Sequence, residues 1–109
     1  MVLTREFRES VAERARKDTK YRKALLKEAV ESLLNGELET GKAILRDYIN
    51  ATVGFEELSR ILHKDSKSIH RMLGLKGNPG AENIFSIIKA IQDADNFNLR
   101  VKVEKEIAA

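Results

Sequence analysis

The chain has 109 residues, a formal net charge of +3, 42% apolar and 34% charged residues, one proline and no cysteine. That length holds one compact domain with at most a small appendage, and the missing cysteines exclude disulfides and thiolate metal sites and fit a reducing compartment. No window approaches the roughly 18 apolar residues of a membrane span, and the charged opening MVLTREFRESV does not read as a secretory signal, so the expectation is a soluble protein of the cytoplasm.

Thr4 is placed to cap a first helix, on which Phe7, Val11 and Ala15 recur every four residues as one apolar stripe. Asp18 reads as the next cap. From Tyr21 to Asn35 the stripe Tyr21, Leu25, Ala29 and Leu33, flanked by Leu26, Val30 and Leu34, is wide enough to face a core, and Gly36 supplies the stop. A third helix is expected over residues 39–50, with Ile44, Leu45, Tyr48 and Ile49 on one face. A fourth spans residues 55–62, with Glu56 and Glu57 at its positive end and Leu58, Ile61 and Leu62 inward. Asp65 caps a fifth, residues 66–73, carrying Ile69, Met72 and Leu73. GLKGNPG is a turn-rich loop in which Asn78 and Pro79 suit the cap and first position of a sixth helix, over about residues 81–93.

The period then changes. Phe97, Leu99, Val101 and Val103 alternate with Asn98, Arg100, Lys102 and Glu104, the signature of one strand. A lone strand leaves its backbone groups unpaired, so this segment is expected to pair with a copy of itself or with another protein's sheet edge. Three regions result: a helical arm at 1–36, a core at 37–94, and a strand and tail at 95–109.

Charge is uneven. Residues 63–80, HKDSKSIHRMLGLKGNPG, carry Lys64, Lys67, Arg71 and Lys76 against a single anion, Asp65. Such a window favours a polyanionic partner or is a solvated face. The same stretch holds pieces of several chemistries. His63 and His70 are seven apart and fall on different elements, whereas histidine ligands on one helix sit three or four apart. Ser66, Ser68, His70 and Asp65 share one short helix, where side chains two apart point to different sides and cannot form a relay. GLKGNPG lacks the spacing of a phosphate-binding loop and follows no strand. No cofactor and no enzymatic activity are therefore expected.

What remains is a reader of nucleic acid. In FEELSRILHKDSKSIHRML the apolar positions Leu58, Leu62, Ile69 and Met72 and the small Ser59 form the internal pattern of two helices crossing closely at a tight turn. Facing outward on the second helix are Ser66, Lys67, His70 and Arg71, types that reach base edges or phosphates; Lys64 and Lys76 flank them as phosphate contacts. The chain has few aromatics for base stacking, which disfavours RNA.

The stretch RDYINATVGFEELSRILHKDSKSIHRMLGLKGNPGAENIFSIIKAI resembles the helix-turn-helix core of the Xre/Cro-like regulators, and most of all the HigA-like addiction-module antidote (antitoxin) branch. The marks are SIHRML in the second helix, the GNP after it, and a last helix running into LRVKVE; the resemblance spans residues 38–104. It implies a mainly all-α fold, five to six helices in a lambda-repressor-like arrangement with one C-terminal β-strand. It also implies a homodimer on double-stranded DNA that represses its own operon, commonly beside a small basic RelE/ParE-like toxin. The alternative is a module that neutralises such a toxin with little DNA affinity. In two places the chain departs from the family: His63 stands where the turn usually has Gly, a position that needs a left-handed backbone, and Ser59 stands where Ala is usual.

Overall fold

The computed structural model of the protein describes residues 5–107. Among these, the elements in chain order are α1 (Arg5–Lys17), α2 (Thr19–Leu34), α3 (Leu38–Ala51), α4 (Phe55–Leu62), α5 (Ser66–Met72) and α6 (Ala81–Asp95). The chain is helical, as expected. Thr4, the anticipated first cap, lies outside the described residues. Asp18 caps α2 by accepting the Tyr21 N–H at 3.2 Å. Gly36, at φ 81°, supplies the left-handed residue after α2.

The core gathers one face from nearly every helix. Leu26 and Ala29 of α2 meet Leu45, Tyr48 and Ile49 of α3, Phe55 and Leu58 of α4, Ile69 of α5, and Ile87, Ala90 and Ile91 of α6. Each fully buried Leu or Ile contributes about 1.5–3 kcal/mol relative to exposure. Most residues of the stripes read from the 3.6-residue period are buried or partly buried, but Phe7, Leu34, Phe85 and Ile61, the last expected to face inward, are exposed.

Two expectations are corrected. Helix α6 does not begin at Asn78 and Pro79; its cap is Gly80 (φ −71°, ψ 167°) and its first residue is Ala81. Gly80 continues the extended backbone that a residue before proline is forced into, and its carbonyl accepts the first helical bond, from the Ile84 N–H at 3.1 Å. The expected C-terminal strand is also not formed: residues 97–107 carry no strand, because no second edge exists among the described residues to pair with them. Asn96 ends α6 in the left-handed conformation, and the chain then runs to residue 107 without regular secondary structure. Phe97 and Leu99 pack against the core, whereas Val101 and Val103 face solvent.

Tyr48 is fully buried, and its hydroxyl donates to Asp95, which also lies 3.8 Å from Arg22 Nε. Arg22 in turn donates to the Ala15 carbonyl at 2.9 Å and to that of Arg16 at 3.2 Å, tying the end of α1 to α2. Burial raises the Tyr48 phenol above its ordinary value, and the hydrogen bond to Asp95 and that carboxylate's charge push the same way against Arg22. A raised folded-state pKa means that folding holds the proton. The contribution is full below the unfolded value of about 10 and is lost as pH rises through the folded one. Thermal melts should therefore fall more steeply above about pH 10 for the native chain than for Tyr48→Phe, which at neutral pH should be about 1–2 kcal/mol less stable. Parallel pH profiles would show that this phenol does not couple to folding.

Candidate nucleic-acid interface

Gly54, at φ 81°, turns the chain from α3 into α4 and passes its N–H to the Ile49 carbonyl at 2.8 Å. Helix α4 runs its eight residues and stops at His63, which adopts φ 54°, ψ 40°. The left-handed turn position anticipated from sequence is thus occupied by histidine. Its neighbours hold it there. The His63 and Lys64 N–H groups both donate to the Ser59 carbonyl, the latter at 3.1 Å, and the Ser59 hydroxyl donates to the Lys64 carbonyl. Ser59 was legible as a small residue at the crossing; that its hydroxyl also ties the turn was not.

Asp65, extended at φ −61°, ψ 134°, starts α5 and accepts the Lys67 N–H at 3.3 Å. The one carboxylate in the basic stretch is therefore turned to its own helix end. Ile69 and the capping Leu73 are fully buried, which fixes the inner face of α5. Lys67, His70 and Arg71 are exposed, and their spacing of three and four sets them on one outer face. His70 stacks on Phe55 with ring centroids 3.8 Å apart and planes at 19°. The Arg71 guanidinium donates to Ser68 Oγ at 3.2 Å, a bond that limits its swing.

His70, Arg71 and Lys76 come together with Gly74 and Gly77 around a shallow depression of about 440 Å³. His70 also borders a larger cleft of about 750 Å³ that it shares with α1, through Glu9, Glu13, Arg16 and Lys17. Lys64 lies in the turn before the N-terminal end of α5. Ser66 is drawn toward α4, its hydroxyl donating to Glu56 at 3.3 Å, so it stands apart from the Lys67, His70 and Arg71 face. The ammonium groups of Lys64, Lys67 and Lys76 have no hydrogen bond or ion pair among the described residues. Arg60 by contrast is taken up by Glu57, whose carboxyl it holds below the ordinary range by hydrogen bonding.

The far end of α5 is held by two cations that sequence reasoning missed, Lys42 and Arg46 of α3. Lys42, only 3% exposed, donates from Nζ to the Gly74 and Gly77 carbonyls, each at 2.9 Å, and pairs with Glu39 at 2.7 Å. Arg46 donates to the Leu73 carbonyl at 2.9 Å. These carbonyls follow the negative end of α5, where cations are favoured.

Comparison with protein-family models, with curated proteins and with solved structures gave no match.

Proposed function

We propose that the chain is a sequence-specific regulator that binds double-stranded DNA through α4, the turn at His63 and α5, and that it acts as an antitoxin-type autorepressor. The observation that carries this reading is the outer face of α5. Lys67, His70 and Arg71 are exposed together on a helix whose inner residues Ile69 and Leu73 are fully buried, and Asp65, the one anion of the basic stretch, is engaged as its cap. Inserted in a major groove, Lys67 and Arg71 donate to guanine O6/N7 or to phosphates, while Lys64 and Lys76 bracket them on the backbone. In a two-fold dimer the half-sites lie about 34 Å apart, one duplex turn.

Lys67→Ala and Arg71→Ala are each expected to weaken binding to the DNA upstream of the gene by about 1–2 kcal/mol, and each lost phosphate contact lowers the salt slope by about 0.9. A gel-shift titration at several salt concentrations reads both. No retardation at low salt, or two variants with unchanged affinity and slope, would remove the DNA reading.

A second reading, neutralisation of a RelE/ParE-like toxin with little DNA affinity, is favoured by a separate feature. An apolar groove of about 240 Å³ runs between α2, α3 and α6, lined by Leu33, Leu34, Leu38, Ile84, Phe85 and Ile88. Leu34, Leu38 and Phe85 are exposed there, and none of Lys67, His70 and Arg71 lines the groove. A chain that captures such a toxin yet leaves DNA unshifted supports this second reading.

A further inference from the structure

Most exposed large apolar side chains of the described residues stand on α1, along the groove of α2, α3 and α6, on α4 or after α6. Leu75 does not. It is 78% exposed and lies inside the basic stretch 63–80, next to Lys76 and four residues after Arg71. A single exposed leucine is ordinary on a protein surface. What sets this one apart is the backbone beneath it.

The Gly77 N–H donates to the Gly74 carbonyl at 3.1 Å, which closes residues 74–77 into one turn with Leu75 and Lys76 at its crest. Neither crest residue has a positive φ, so the turn accepts most residue types there and does not demand leucine. The core does not demand it either, since the side chain lies outside. Both ends of the turn are pinned. Lys42 Nζ donates to the Gly74 and Gly77 carbonyls at 2.9 Å each, and the Gly74 N–H donates to the Arg71 carbonyl at 3.1 Å. The crest is thus a fixed apolar knob, already ordered by folding, so a contact made there loses little further entropy on binding. The same turn forms one wall of the depression shared with His70 and Arg71.

Charge says what comes against the knob. Arg71 and Lys76 are exposed and lie on either side of Leu75 in the chain, while Asp65 is engaged at the opposite end of α5. The occupant is therefore a polyanion with an apolar spot between its charges. Duplex DNA presents such a spot on a base edge of the major groove, the C5-methyl group of thymine. We infer that Leu75 is a specificity-determining residue that packs on the C5-methyl of a thymine at one position of the bound site, beside the phosphate that Lys76 holds. The inference rests on the DNA reading above and adds to it a base that the side chains of α5 do not read.

Deoxyuridine differs from thymidine only by that methyl group. Thymines that footprinting of the DNA upstream of the gene finds covered are replaced one at a time, and each duplex is titrated by gel shift with the native chain and with Leu75→Ala. One replacement should weaken native binding roughly fourfold, the worth of one buried methyl. Leu75→Ala should weaken binding to the unmodified duplex at least as much and should be indifferent to that replacement. Its salt slope should equal the native one, whereas Lys76→Ala should lower the slope by about 0.9. Equal melting points of the native chain and Leu75→Ala show that the fold is intact. A native chain that ignores every replacement overturns the inference. So does a Leu75→Ala protein that responds to each replacement as the native chain does: with lowered affinity the leucine packs on the sugar–phosphate backbone, with full affinity it serves a protein partner. A native chain that shifts no duplex at low salt removes the DNA reading itself, whereas a shift without a deoxyuridine effect removes only the role of Leu75.

Discussion

Gly77→Ala is expected to destabilise the protein by about 3 kcal/mol and to lower its Tm by about 12 °C. A Cβ at this position would lie 1.9 Å from the Arg71 carbonyl oxygen and 2.6 Å from that of Met72. Both are backbone atoms in the last turn of α5, so neither can rotate away. Either the loop lifts off the helix or the helix end unwinds, and both outcomes displace Lys76 from Arg71. Gly80→Ala in the same loop is the control. Its Cβ would meet nothing within 4 Å, and its φ of −71° suits any residue, so a change within about 0.5 kcal/mol is expected. Differential scanning calorimetry of the two variants decides it; similar melting points would mean that the loop does not rest on α5 in solution.

Lys42→Met should cost about 2–3 kcal/mol although it keeps most of the side chain's bulk. The loss is the ammonium, whose charge-assisted hydrogen bonds reach the Gly74 and Gly77 carbonyls and Glu39. Arg46→Ala removes the neighbouring bond to the Leu73 carbonyl. Because both cations hold one turn, the double variant should lose less than the two singles added together. Urea unfolding of the four proteins in that cycle measures the coupling, and strict additivity would show that Lys42 and Arg46 act on separate parts. In gel shifts the folded Lys42→Met protein should also bind DNA more weakly, since Lys76 lies between the two carbonyls that Lys42 holds.

Much of this was legible. The helices could be read because each has a 3.6-residue apolar stripe and local punctuation: Asp18, Gly36 and Asp65 act within a few residues of themselves, and the strained turn at His63 follows from the same local count. Signals that depend on distant chain were not legible. Lys42 looks like any solvated lysine, since the carbonyls it serves lie 32 and 35 residues later. The stack of Phe55 on His70 likewise joins two elements whose approach no periodicity encodes. The Asn78–Pro79 cap failed because a proline marks a helix start only if the chain turns there, and here Gly80 is still extended and the helix begins at Ala81. The strand failed for another reason. Alternation reports a chain with two unlike faces, but a strand also needs a second edge, and a single chain's sequence does not say who supplies one.

Helix α5 has seven residues, too few to hold a helix in isolation. Its order is borrowed at both ends, from the Asp65 carboxylate at the start and from the α3 cations at the finish. The order of the surface proposed to read DNA is therefore tied to the loop behind it. The amides of the last turn of α5, from Ile69 to Leu73, are expected to exchange with solvent in openings that also release the loop behind it, so the lifetime of that end of the reading surface is the lifetime of the joint.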